Sequence, residues 1–135
     1  MSQENVETIL RSMEAARRDG GMDAGAIPFH PDVEWDISRY PLPDFPDTGR
    51  GRDELAGHLT AYFSGWTDYE STVSEIHDHG DEVVVILKER VRMPGSETML
   101  ERELPQVWTI EDGTCRRFRV FKTRAEALRA AGIEG

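Results

Sequence analysis

The chain has 135 residues and a mass of 15.3 kDa, and its 26 acidic and 16 basic side chains give a net charge of −10 at neutral pH. This length suits a single domain over residues 1–135, and the negative charge argues against binding to nucleic acid or to a membrane surface. No apolar run approaches the roughly 20 residues that cross a bilayer, and residues 1–10 do not read as a signal peptide, so we expect a cytoplasmic protein.

Disulfide, metal and cofactor chemistry are not expected from the residue types. Cys115 is the only cysteine, so it has no partner for an internal disulfide. The segment HDHGD (77–81) contains metal-binding residue types. It falls in a predicted turn between strands, however, where Asp and Gly are wanted for backbone reasons. We therefore predict no metal site and no cofactor.

The first predicted element is an amphipathic helix over residues 3–19. Its apolar residues recur at i, i+3, i+4, i+7 and i+10, and they are Val6, Ile9, Leu10, Met13 and Ala16. Acidic residues near the start, arginines near the end and two glycines after it agree with these limits. A short second helical turn is predicted over residues 22–29, where Pro28 and Pro31 end it.

The middle of the chain is predicted to form a strand, a long loop and a helix. Residues 33–37 read as a strand, and residues 38–51 as a loop with three prolines and two glycines. Loops of this length in a compact domain are often pocket rims or lids. A second long helix then begins at Asp53 and ends near Gly65, with an apolar stripe of Leu55, Leu59, Tyr62 and Phe63.

Four strands and a final helix complete the chain. The strands are predicted over residues 69–77, 82–93, 98–110 and 115–122, separated by turns rich in Gly and Asp. Thr123 and Glu126 have the spacing of a capping box that starts a helix. This order predicts an α+β fold in which N-terminal helices wrap one face of a curved antiparallel sheet, a cone that encloses a small-molecule cavity.

Four motifs point to a known family. They are HPDVEWD (30–36), GRDEL (51–55), QVWTIEDG (106–113) and RAEALRAAG (124–132). In this order and spacing the chain resembles the SnoaL-like family of the nuclear transport factor 2-like (ketosteroid isomerase-like) superfamily. That group includes ketosteroid isomerases, polyketide cyclases, limonene-type epoxide hydrolases, scytalone dehydratase and noncatalytic binding or transport proteins. The resemblance implies a small apolar ligand and a homodimer formed through the sheet face.

The resemblance also suggests site residues. Asp36 matches the carboxylate base of the isomerases. It is a general base if the cavity raises its pKa, and otherwise a solvated acid at a strand end. The isomerases' hydrogen-bond donors correspond to Met13 and Gln106, and the aspartate of the cyclases corresponds to Thr123. Because methionine cannot donate a hydrogen bond and threonine is no base at neutral pH, these positions argue against both mechanisms. Gln106 either anchors a ligand carbonyl or bonds to a neighbouring side chain.

Large aromatic side chains are the predicted ligand wall. They are Tyr40, Phe45, Tyr62, Trp66, Trp108 and Phe118. The first two lie in the proline-rich loop, where an aromatic ring at a cavity mouth can contact a ligand. His58, on the second long helix, is either a pocket residue that titrates near neutral pH or an exposed helix residue.

Two acid and base pairs leave an alternative open. Glu89 is followed by Arg90, and Arg102 by Glu103, so one member of each pair points toward the helices. An acid and an arginine inside the cavity would suit epoxide hydrolysis, whereas cross-strand ion pairing on an exposed face is the commoner arrangement.

Two further expectations follow from charge and fold. The cluster of Arg116, Arg117 and Arg119 is expected to pair with acidic groups of the protein or its dimer, not with a polyanion. The sequence is compatible with a cofactor-free isomerase, cyclase or hydrolase, with a noncatalytic ligand-binding protein, and with a dimeric interaction module.

Overall fold

The computed structural model describes residues 2–18, 21–22, 27–40, 42 and 45–133. Within them the helices are α1 (Ser2–Ala16), α2 (Arg52–Ser64) and α3 (Arg124–Ala130). The strands are β1 (Arg17–Arg18), β2 (Gly21–Met22), β3 (Phe29–Asp36), β4 (Thr48–Arg50), β5 (Asp68–His79), β6 (Glu82–Arg92), β7 (Leu100–Glu111) and β8 (Thr114–Val120). Among these helices, none is long and apolar enough to span a membrane.

The main sheet has six strands in the order β4, β3, β8, β7, β6, β5. Strands β5 to β8 form the predicted antiparallel meander, and β3 joins it by pairing parallel to β8. The pair β1 and β2 forms a separate two-residue ladder. The structure confirms the predicted α+β fold built on a curved, mainly antiparallel sheet.

Alternation along β6 defines the two faces of the sheet. Val83, Val85 and Leu87 belong to the main core with apolar residues of α1 and α2, and we call this the inner face. Val84 and Ile86 point the other way and pack against α3, and we call that the outer face. The N-terminal helices therefore wrap one face as predicted, while the C-terminal helix covers part of the opposite face.

Some element bounds differ from the prediction. Helix α1 gives way to β1 at Arg17, and half of the predicted helical turn over residues 22–29 lies outside the described residues, while its two ends belong to β2 and β3. The predicted loop 38–51 contains β4, which pairs with β3. A strand of three residues, TGR, has too little alternation to be recognised from sequence. The capping box is confirmed, because the Glu126 amide donates to Thr123 Oγ1 at 3.1 Å.

Candidate functional site

A carboxyl group is buried on the inner face of the sheet. Glu89 of β6 is completely buried, and its Oε1 accepts hydrogen bonds from the Tyr62 hydroxyl and from Arg102 Nε, each at 2.9 Å. Its Oε2 accepts a hydrogen bond from the Tyr69 hydroxyl. We call these four residues the Glu89 site. A buried charge of this kind is tolerated only when it is paired and hydrogen-bonded, as it is here.

Four elements bring the Glu89 site together. Glu89 and Arg102 are direct cross-strand partners on β6 and β7. Tyr62 lies on the buried stripe of α2, seven residues after Leu55, so it faces the sheet. Tyr69 stands at the start of β5, and its side chain is also buried. The site thus lies where the end of α2 crosses the inner face.

Burial sets the protonation behaviour of the Glu89 site. It raises the pKa of Glu89 to about 7, and the hydrogen bond from Tyr69 opposes this by stabilising the ionised form. Burial and the nearby Glu89 charge raise the pKa of Tyr69, so its hydroxyl stays protonated. Burial lowers the pKa of Arg102, and the neighbouring Tyr40 hydroxyl opposes that change. Glu89 is therefore a carboxyl that can exchange a proton near neutral pH.

A small interior space lies beside the Glu89 site. It is walled by residues of α1, α2 and the inner face and by two residues outside regular elements, Ile27 and Leu42; the others are Met13, Phe29, Leu59, Tyr62, Phe63, Leu87, Glu89, Leu104, Gln106, Trp108, Phe118 and Val120. Its volume is about 40 Å³, close to that of one water molecule. The predicted cavity is thus largely filled by side chains, many of them aromatic, and as bounded by the described residues it does not hold an organic ligand without movement.

Gln106 is the second polar group in this apolar wall. Its Oε1 accepts a hydrogen bond from Trp108 Nε1 at 2.8 Å. The carbonyl end of the amide therefore bonds to a neighbouring side chain, which was one of the two alternatives. The NH₂ end makes no hydrogen bond to a described residue, so the other alternative, an anchor for a ligand, stays open. That NH₂ group is a donor available to a polar atom in the interior space.

A larger cleft adjoins the interior space at Tyr62. It has a volume of about 290 Å³ and is lined by His58, Ala61, Tyr62, Gly65, Trp66, Met93 and Pro94. Tyr62 is the shared wall, since it lines both spaces. We call this opening the Trp66 cleft. Two buried donors close to it, Trp66 Nε1 and Arg102 Nη2, have no hydrogen-bond acceptor among the described residues, although the Arg102 guanidinium stacks 5.3 Å from the Trp66 ring.

Asp36 lies on the other side of the sheet from Gln106. Trp35 points into the main core, so alternation along β3 turns Asp36 toward the outer face, where it lines a separate cleft. Ser38 donates to its Oδ1 from both the amide and the hydroxyl, at 2.9 and 2.6 Å. These bonds lower the pKa of Asp36, whereas a general base in the cavity requires the opposite. The structure therefore does not bring Asp36 and Gln106 to one site.

The predicted aromatic wall divides among several places. Trp108 and Phe118 line the interior space with Tyr62, and Trp66 lines the cleft named after it. Phe45 is buried against His58 and Trp35, with ring centroids 5.4 and 6.3 Å away.

The other residues singled out from the sequence lie in several different parts of the structure. Tyr40 approaches Arg102, while His58 is half-buried and lines the Trp66 cleft, as the pocket alternative predicted. Thr123 caps α3, and His77 contacts Glu75 at 2.9 Å. In the part of the chain that the structure describes, no group of three or more His, Cys, Asp or Glu residues is placed to hold a metal ion.

Sequence reasoning left Glu89 and Arg102 unassigned, and it missed Tyr69. Cross-strand ion pairing on an exposed face is correct for Arg90, which contacts Glu101 at 3.2 Å and Glu70 at 3.6 Å. Glu89 and Arg102 also form a cross-strand ion pair, but they do so on the buried inner face, so the expected exposure is wrong for them. The signal was present in the alternation, because Glu89 continues the series Val83, Val85, Leu87, and Arg102 continues the series Trp108, Gln106, Leu104.

Comparisons with known proteins identify the family of this chain. Residues 9–118 match the model of the SnoaL-like domain. TerC co-crystallised with polyporic acid shares 23% identity, with a TM-score of 0.69 over 95% of this chain and 98% of that one. A Catenulispora acidiphila protein with a ketosteroid isomerase-like fold, in complex with trimethylamine, has 14% identity and a TM-score of 0.69 over 95% and 94%.

A third solved structure, an LEH-like epoxide hydrolase of M. tuberculosis, has 14% identity and a TM-score of 0.65 over 96% of this chain and 90% of that one. A search of curated protein sequences gave no significant match. At these identities the solved structures establish the fold, while the family model covers most of the chain. The chain therefore belongs to the SnoaL-like domain family and has the ketosteroid isomerase-like fold.

Proposed function

We propose that this protein is a small enzyme that performs acid and base chemistry on an apolar, oxygenated compound, with Glu89 as the proton-transfer group. The observation that carries the proposal is a buried carboxyl with a pKa of about 7 beside an apolar space. A general acid or base works best when its pKa lies near the working pH, and perturbed carboxyl groups in apolar sites are enriched at functional sites.

The proposed chemistry divides between Glu89 and its neighbours. Ionised Glu89 accepts a proton from a carbon next to a carbonyl group, or from a water molecule that attacks an epoxide. In an isomerisation the same carboxyl returns that proton to the product carbon, and in epoxide hydrolysis it returns the proton to the alkoxide oxygen that is formed when the ring C–O bond breaks. Arg102 Nη2, which has no acceptor among the described residues, donates to the substrate oxygen on which negative charge develops. The Gln106 NH₂ group is a second donor to that oxygen.

The Trp66 cleft is the proposed entrance. Its volume of about 290 Å³ is close to the lower end of typical ligand pockets, and its lining is mostly apolar. Tyr62 lines both this cleft and the interior space, so its ring stands between the two. We propose that a ligand binds in the cleft and reaches the Glu89 carboxyl when the Tyr62 ring turns aside.

A second function, binding without catalysis, is favoured by a different observation. Both oxygens of Glu89 already accept hydrogen bonds, from Tyr62, Arg102 and Tyr69. A carboxylate with all of these donors is a stable structural group as well as a possible base. In this alternative the cleft holds an apolar ligand that leaves unchanged.

A turnover screen with three variants tests the proposal. Purified protein is incubated with epoxides, enones and polyketide-like compounds, and products are followed by mass spectrometry. We expect Glu89→Gln to abolish turnover while the protein stays folded by circular dichroism. Glu103→Gln is the matched control, because Glu103 is an exposed acid on β7 next to Arg102. Asp36→Asn tests the outer face in the same way, and both controls are expected to keep full activity.

Three outcomes decide between the alternatives. Turnover that survives in Glu89→Gln contradicts the proposed role of Glu89. Loss of turnover in Asp36→Asn alone moves the chemistry to the outer face. Compounds that raise the melting temperature without forming product support the noncatalytic alternative instead.

A further inference from the structure

The outer face carries a second cleft, unrelated to the Glu89 site, in which positive charge is concentrated. It lies between the end of β3, strand β8 and α3, and has a volume of about 400 Å³. Four arginines line it together with two acids and three apolar residues: Arg39, Arg117, Arg119, Arg129, Asp36, Glu126, Val120, Phe121 and Ala130. We call it the arginine cleft. In a chain of net charge −10, an opening with twice as many arginines as acids is unusual.

Alternation along β8 explains how the arginines reach one place. Phe118 and Val120 belong to the main core, so Arg117 and Arg119 project from the outer face. Parallel pairing then sets Asp36 of β3 beside Arg119. Helix α3 supplies Arg129 from the opposite wall. The cleft is thus built by three elements that are fixed by sheet pairing and by the packing of α3.

The positive charge of the cleft is only partly compensated. Arg119 contacts Glu82 at 3.3 Å, but its buried Nε has no acceptor among the described residues. Arg39, Arg117 and Arg129 form no ion pair with a described carboxylate, although Asp36 attracts the first two over a longer distance. Burial and the charge of Arg117 lower the pKa of Arg119, as expected where like charges crowd together.

The acids of the cleft are already engaged in local hydrogen bonds. Asp36 Oδ1 accepts two bonds from Ser38, and Glu126 Oε1 lies 3.2 Å from Thr123 Oγ1. The sequence expectation that the arginines pair with acids of the protein is met by Arg116, which contacts Glu111 at 3.5 Å, and by Arg119. It is not met by Arg117 within the described residues.

We propose that the arginine cleft binds a small organic anion whose head group is a carboxylate or a phosphate. The guanidinium fork matches the oxygens of either group in a bidentate arrangement. The volume exceeds that of a bare inorganic ion, and the Phe121 ring and Ala130 offer an apolar surface to the rest of the molecule. Arg119 lies over that ring, with its guanidinium carbon 5.6 Å from the centroid.

Calorimetric titration with three probes tests this site. Phenyl phosphate and benzoate share an aromatic group and differ in the oxyanion, while inorganic phosphate lacks the aromatic group. We expect saturable binding of phenyl phosphate or benzoate at constant ionic strength, and tighter binding of phenyl phosphate than of inorganic phosphate. The better of the two aromatic probes identifies the head group that the cleft prefers.

Two double variants with the same change in net charge provide the matched comparison. Arg117→Gln with Arg129→Gln removes two arginines of the cleft, one on β8 and one on α3. Arg116→Gln with Arg124→Gln removes two exposed arginines from the same strand and helix, which contact Glu111 and Glu75 outside the cleft. We expect the first variant to weaken binding about tenfold or more, because it removes two charged donors to the oxyanion, and the second to retain it.

The proposal is overturned if no probe binds the wild-type protein saturably, or if the two double variants weaken binding equally. If Arg117→Gln with Arg129→Gln does not fold, the arginine side-chain NMR signals of the wild-type protein decide. Titration with the tighter probe is expected to shift the Nε resonances of Arg117 and Arg129, and unchanged signals at both arginines would refute the site.

Discussion

Glu89 and Arg102 face each other directly across β6 and β7 on the inner face of the sheet, with Arg102 Nε 2.9 Å from Glu89 Oε1. One residue further along the same ladder, Arg90 and Glu101 are also direct partners, but on the outer face and largely exposed, with 3.2 Å between Arg90 Nε and Glu101 Oε2. The same pair of strands therefore contains one buried and one exposed ion pair, which can be compared directly.

Removing the arginine of each pair should have very different effects on stability. Arg102→Gln leaves the buried Glu89 carboxylate without its positive partner, and we expect the free energy of unfolding at pH 8 to fall by about 3 kcal/mol. Arg90→Gln should change it by less than about 1 kcal/mol, because exposed ion pairs are screened by water. Urea unfolding measures both values. Equal losses would contradict the difference in burial on which this prediction rests.

The pH dependence of stability reports on Glu89. Its pKa is 4.5 in the unfolded chain and about 7 in the folded protein, so the folded state holds more protons between these values. Stability from this group is therefore lost as pH rises from about 4.5 to 7, by about 3 kcal/mol in total. The free energy of unfolding of the wild-type protein should fall relative to that of Glu89→Gln across this pH window. Above the window the two free energies should change in parallel with pH. A constant difference between the two curves from pH 4 to 8 would show that the pKa of Glu89 is not raised.

The two tyrosines that contact Glu89 are expected to differ in their contributions. Tyr69→Phe removes the donor to Oε2, to which no other described residue donates, and should cost about 1 to 3 kcal/mol. Tyr62→Phe removes one donor to Oε1, which keeps its bond from Arg102, and should cost less. Tyr69→Phe should also raise the pKa of Glu89 further, since the lost hydrogen bond stabilises the ionised form. Infrared titration of the carboxyl band checks the pKa. The reverse order of the two stability losses would argue against this hydrogen-bond arrangement.

The fold was predictable from the sequence because its signals are local. The helical stripe of α2, the glycine and aspartate turns of the meander and the capping box at Thr123 each depend on a few neighbouring residues. Pairing of β3 with β8 joins residues about 80 positions apart, and no local pattern reveals it. The face on which each strand residue lies follows from alternation, once one residue of that strand is placed.

The site was harder to predict because its residues can be assigned only when the face of the sheet on which each of them lies is known. Asp36 follows Trp35, and since the large indole ring enters the core, the carboxylate must leave it. For Glu89 the charge suggested the exposed face, whereas the apolar residues at every second position placed it inside. Packing also could not be read from residue types: Trp108 and Phe118 line the interior space as expected, but they and their neighbours fill most of it.

The homodimer expected from the family resemblance remains a prediction, and it concerns the outer face. Light scattering of the purified protein at several concentrations should give twice the chain mass of 15.3 kDa. A dimer that covers the charged ladder of Arg90, Glu70 and Glu101 should be sensitive to Glu101→Arg, which places two positive charges side by side. Lys122→Glu, at an exposed position just after β8, is a control for a change in surface charge. A mass of one chain at all concentrations would refute the dimer.

Gly49 tests how tightly strand β4 packs against the core, and Gly57 in α2 provides the control. Gly49 is the cross-strand partner of Trp35, and a Cβ atom at this position would overlap the indole ring. The ring has no room to retreat, because it is buried and its Nε1 donates to the Pro46 carbonyl at 3.0 Å. We expect Gly49→Ala to lower the free energy of unfolding by about 1 to 3 kcal/mol.

Gly57→Ala is the matched control, since Gly57 is exposed within α2 and a Cβ there would meet no atom of the described residues within 4 Å. Alanine favours the helix, so this change should raise the free energy of unfolding by about 0.5 to 1 kcal/mol. Opposite signs in urea unfolding are the expected result, and a stabilising effect of Gly49→Ala would mean that β4 does not pack against Trp35 as described.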